Sequence, residues 1–101
     1  MVETTALVER VAQVMGVDKE KVVLKSVSEL ILSELRKHYA ESVEIKQKYG
    51  VESAREIDES YQKGLLEEEN SWRDFFRLSH LEERIMVLDE LLSETSCLGI
   101  G

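Results

Sequence analysis

The stretch SWRDFFRLSHLEERIMVLDELL, residues 71–92, decides the fold class. Trp72, Phe75, Leu78, Leu81, Ile85, Leu88 and Leu92 recur at steps of three and four, the period of one face of an α-helix. Phe76, Met86, Val87 and Leu91 widen that stripe. Ser71 to Asp74 has the look of an N-terminal cap, with the Asp74 carboxylate near the positive end of the helix dipole. Upstream, Ser53-Ala54-Arg55-Glu56 fits the capping box, in which the serine oxygen and the glutamate satisfy orphan amides reciprocally. Ala54, Ile57, Tyr61 and Leu65 then form a stripe, and Gly64 ends the segment.

Further back, Leu24, Val27, Ile31, Leu35, His38, Ser42, Ile45 and Tyr49 share one face of a helix that follows Asp18 as N-cap. Its first half is apolar on most sides, while Arg36 to Lys48 is mixed in polarity. That contrast calls for either a bend near His38 or a partner along the distal half. Leu7, Val8, Val11, Val14 and Met15 give a shorter stripe, stopped by Gly16. There is no proline, no sustained alternation and no Asn-Gly or Asp-Gly hairpin signal. The expectation is an all-α bundle of about four helices, roughly 4–15, 19–48, 53–63 and 71–94, with a long second helix. Residues 1–94 are expected to form one helical domain, with 95–101 a frayed tail.

Composition narrows the function classes. No apolar run reaches the roughly 20 residues that span a bilayer, and Met1 to Thr5 carry no basic signal region, so a cytoplasmic protein without membrane attachment is expected. A single cysteine, Cys97, builds no disulfide framework and suits a reducing compartment. Residues 1–48 hold 8 basic and 8 acidic side chains, whereas residues 49–101 hold 5 and 13, so the whole net charge of −8 lies in the second half. Nucleic acid is repelled by that half, and a basic protein is attracted to it.

Chemistry-bearing constellations are sparse. Glu34, His38 and Glu41 share a helical face, and His80 with Glu83 one turn on is the only other such fragment; ordinary surface pairing is the better reading of both, so no metal or cofactor is expected. Cys97 lies in the expected frayed tail, which argues against a nucleophilic pair. Trp72, Phe75 and Phe76 invite comparison with a base-stacking platform, but no basic residues accompany them as a groove. Core packing is the better reading, with a hot spot for a protein partner as the alternative. Arg73 and His80, separated by six residues, resemble the arginine–histidine signature of HEPN-type helical ribonucleases. That resemblance implies phosphodiester cleavage, with cation and imidazole beside the phosphate.

Tyr49-Gly50, Ser53 to Ile57, Gly64, Glu68, Trp72, Asp74, Leu81-Glu82-Glu83, Ile85 and Leu88 together form a second pattern. Residues 49–92 resemble small all-helical proteins of prokaryotic toxin–antitoxin pairs, on the antitoxin side. Thr5 to Leu35, with its Met15-Gly16-Val17-Asp18 turn, is similar to the helical part of ribbon-helix-helix repressors, without the basic strand that reads DNA. The antitoxin resemblance implies a non-catalytic module that neutralises a basic partner such as a nuclease toxin. Glu67, Glu68, Glu69, Asp74, Glu82 and Glu83 are the expected partner-binding carboxylates, and Trp72 and Phe76 the apolar anchors. The alternatives are a HEPN-like ribonuclease using Arg73 and His80, and a structural homodimer assembled through the second helix.

Overall fold

The computed structural model describes residues 3–99. Among these the chain is all-α: α1 (Thr4–Met15), α2 (Lys19–Tyr49), α3 (Ala54–Gln62) and α4 (Glu68–Gly99). α2 runs unbroken through His38. It stops at Gly50, whose φ of 63° is open to glycine and strained for any other residue. The Val51 amide returns to the Lys46 carbonyl at 3.0 Å, closing the last turn. Gly16 ends α1 in the same way, with the Val17 amide donating to the Ala12 carbonyl.

α2 and α4 lie antiparallel along their lengths. Cross-helix bonds run from Ser28 to Thr95 at one end to Tyr49 and Asp74 at the other. The mixed polarity of the distal half of α2 is explained by α4 itself. Tyr39 donates to Asp89, Arg77 grips both oxygens of Glu41, and Lys48 pairs with Asp74. Between these polar margins runs a narrow apolar seam in two clusters. Ile45, Ala54, Ile57, Leu78 and Leu81 gather where α3 docks, and Ile31, Leu35 and Leu88 pack farther along.

Three sequence expectations need correction. First, α4 begins at Glu68 rather than Ser71. Three carboxylates, Glu67 to Glu69, open it and favour the positive dipole end. Ser71 is therefore no cap but a buried residue of the first turns, its hydroxyl donating back to the Glu67 carbonyl at 2.6 Å. Second, the expected tail is helical from Thr95 to Gly99, with Thr95 bonded to the Leu92 carbonyl and to Ser28. Ile100 and Gly101 lie outside the described residues. Third, most of the apolar α1 stripe is uncovered: Leu7, Val11, Val14 and Met15 are exposed, and only Ala12 is buried there. Leu65 is likewise exposed.

Two caps also differ in detail. Asp18 stands at the N-cap of α2, but no capping hydrogen bond from its side chain is formed. Ser53 accepts from the Glu56 amide as expected, whereas Glu56 receives the Glu52 amide in place of that of Ser53.

The molecule is long and thin. Its Cα extents are 61 × 32 × 16 Å and its radius of gyration is 19.7 Å. A compact chain of this length has a radius near 13 Å, roughly two-thirds of that value. No helix among the described residues is long and apolar enough to cross a membrane.

Candidate functional site

The first half of α4 carries the chemistry singled out in the sequence, and the structure divides those residues into two groups. Asp74 and Glu82 point into the fold. Asp74 accepts from Lys48 Nζ at 2.8 Å and from the Tyr49 hydroxyl at 2.5 Å. The bond from Lys48, and then that from Tyr49, hold its carboxyl below the usual aspartate value. Burial raises the Tyr49 hydroxyl above its ordinary value, and the neighbouring Asp74 adds to this. Glu82 places both carboxylate oxygens 3.3 Å from the Ala54 amide, so it caps α3 from a neighbouring helix.

The other six residues face outward. Glu67, Glu68, Glu69 and Glu83 are exposed around Trp72 and Phe76. The spacing 69, 72, 76, 83 keeps Glu69, both aromatics and Glu83 on one side of the helix. Trp72 is 46% exposed and Phe76 61%, which overturns the reading of these two rings as core. Their position is fixed from below. Tyr61 meets Phe75 edge-on at 5.8 Å, Phe75 meets Phe76 at 5.4 Å, and Phe76 meets Trp72 at 6.1 Å. Ser71 commits its own proton to Glu67, so the Tyr61 hydroxyl donates to Ser71 Oγ at 2.7 Å and pins the foot of this stack. A shallow hollow of about 330 Å³ opens beside Trp72, between Glu69, Asn70, Arg73 and Asp74. Among the described residues, none of the four outward carboxylates is drawn into an ion pair.

Arg73 and His80 also lie on the exposed side of α4, two turns apart. The Arg73 guanidinium rests over the Trp72 ring at 5.3 Å, making it part of the aromatic surface. Glu34, His38 and Glu41 do not converge. Glu41 is held by Arg77, which keeps its carboxyl below the ordinary value, and His38 Nε2 lies 4.0 Å from Glu34. Among the described residues no three acidic, histidine or cysteine side chains form a cation cluster. Cys97 is an exposed thiol on α4. Sequence reasoning missed the pairs that bind α2 to α4, because nothing in a single chain marks the register between two helices.

The model of the Uncharacterized protein MJ0235 family matches residues 1–100, and the chain belongs to that family. No curated protein and no solved structure matches it.

Proposed function

We propose that this member of the MJ0235 family is a non-catalytic interaction module that binds a basic protein through the outer face of the first half of α4. The observation that carries this reading is the exposed, edge-to-face Trp72–Phe76 pair standing among the outward carboxylates Glu67, Glu68, Glu69 and Glu83. A rigid aromatic pair supplies an anchor that loses little entropy on binding, and carboxylates around it select Arg and Lys. The location of the −8 charge in residues 49–101 steers such a partner toward this half. The resemblance of residues 49–92 to antitoxins makes a nuclease toxin the partner class. Carboxylates there would occupy the cations that otherwise hold a phosphate, which is how neutralisation would work. Asp74 and Glu82 position this face and do not touch the partner.

Co-purification from the native cell tests the proposal, using wild type, a Trp72→Ala/Phe76→Ala variant and a Glu67→Gln/Glu68→Gln/Glu69→Gln variant. Wild type should retain a basic protein, and both variants, with unchanged helical content, should bind it at least about 30-fold more weakly, the loss typical of hot-spot residues. Retention of the same partner by both variants would refute the assignment, as would recovery of no basic protein.

A further inference from the structure

Glu69 and Arg73 stand four residues apart on α4 with the carboxylate first, the order and spacing that best favour an ion pair along a helix. No such pair forms among the described residues. The Arg73 guanidinium lies instead over the Trp72 ring at 5.3 Å, and the Glu69 carboxylate is left uncommitted. Asn70 lines the same hollow. Its amide nitrogen donates to Glu67 at 3.0 Å, which orients the amide and leaves its carbonyl oxygen as a second acceptor. The hollow of about 330 Å³ therefore brings together an aromatic ring, a carboxylate and a carbonyl oxygen. Asp74 also lines it but is already paired with Lys48.

Given the outer face of α4 as the partner-binding surface proposed above, we infer that this hollow seats an arginine side chain of the basic partner, and that Arg73 is an internal occupant which the partner's arginine displaces from the Trp72 ring. A guanidinium is planar, so it stacks on a ring while its N–H groups reach acceptors beside that ring. Arg73 meets only the first of these conditions. It follows Trp72 directly on the same helix, and with its guanidinium on the ring it leaves Glu69 unpaired. An arginine from a separate chain carries no such tether and can stack on Trp72 while bonding to Glu69 and Asn70. Lysine gains less, because its ammonium is compact and strongly hydrated. An apolar side chain gains nothing from the two acceptors, so it does not offset the loss of the Arg73 contact. The internal occupant thus discriminates against apolar partners and in favour of arginine.

Trp72 is the only tryptophan, so the intrinsic fluorescence of the full chain reads this hollow directly. Titration with the peptide acetyl-Gly-Arg-Gly-amide should change the emission saturably, with a midpoint below about 100 mM at constant ionic strength. The matching lysine peptide should bind at least about threefold more weakly. Arg73→Ala should tighten the arginine peptide about two- to fivefold, the equivalent of one exposed cation–π contact. Arg84→Ala removes the same charge from an exposed position about three turns along α4 and should leave the midpoint unchanged. Glu69→Gln should weaken the arginine peptide about threefold. Absence of a saturable response in both wild type and Arg73→Ala overturns the inference. So does equal binding of the two peptides, or a gain from Arg73→Ala no larger than that from Arg84→Ala. Co-purification separates this failure from failure of the surface itself. A basic protein that is lost with Trp72→Ala/Phe76→Ala, but is held equally by wild type, Glu69→Gln and Arg73→Ala, keeps the surface and removes the arginine seat.

Discussion

Replacing Ile57 by alanine tests how α3 is held. Ile57 is fully buried among Ile45, Ala54, Leu78 and Leu81, and apart from Ala54 it is the only buried residue of the nine-residue α3. The substitution removes three carbons, which at about 0.8 kcal/mol each is about 2.4 kcal/mol of lost transfer energy. A rigid site would also keep a void of roughly 75 Å³, adding about 1.8 kcal/mol at 24 cal/mol per Å³. α3 is short and edge-packed, so it can settle inward, and the total should fall near 3 kcal/mol, inside the usual Ile→Ala range of about 2–5. Urea titration followed by dichroism, at fixed protein concentration, reads this as a fall in midpoint. With a slope at the low end of the usual range, about 1.5 kcal/mol per M, the fall is about 2 M. Leu65→Ala is the control: Leu65 is exposed just beyond α3, and its loss should stay within about 0.5 kcal/mol. Equal midpoints for the two variants would refute the argument, because Ile57 would then not be the residue that ties α3 to the helical pair.

Asp74 and Glu82 give two further expectations. The carboxyl of Asp74 is held below its ordinary value in the folded chain, so its contribution is complete above the unfolded value near 3.9 and disappears as pH falls through the lower folded one. Thermal melts from pH 7 to pH 2.5 should therefore show a shallower acid decline for Asp74→Asn than for wild type, and superimposable slopes would remove Asp74 from the account. Glu82→Ala leaves the Ala54 amide without its acceptor and should cost about 0.5–2 kcal/mol, in the range of a lost helix cap. Hydrogen exchange at Ala54 should accelerate while amides near Ile31 and Leu88 keep their protection, and unchanged exchange at Ala54 counts against the capping role.

The helices were legible in the sequence because period and punctuation agree. Gly16 and Gly50 end α1 and α2 within one residue of the expected positions, and the step pattern of Leu78, Leu81, Ile85, Leu88 and Leu92 matches the buried or half-buried side of α4. The ends of α4 were less legible for a physical reason. Ser71 has the chemistry of a cap, but a serine hydroxyl satisfies the preceding turn equally well, and three carboxylates before it start the helix earlier. At the other end no proline or glycine intervenes before Gly99, so the helix continues into residues whose apolar period has already faded. Periodicity also says which side of a helix is apolar without saying what covers it. Hence Trp72 and Phe76 read as core and are exposed, and most of the apolar α1 stripe is uncovered. For the candidate site, the carboxylates were identified by charge and by the resemblance of residues 49–92. Only the antiparallel register separates Asp74 and Glu82, which serve the fold, from the four that face solvent.

The 16 Å Cα thickness of the molecule has a consequence for how it tolerates change. In a body this thin, buried side chains have neighbours along the seam and across it but few above or below. Stability is then distributed along a line, much as in a repeat array, and is not pooled at a centre. The cluster at Ile57 and the cluster at Leu35 and Leu88 have no member in common, so lesions in the two should sum with little coupling. Sequence drift at the α1 end can accordingly proceed without disturbing the acidic face at the opposite end of the rod.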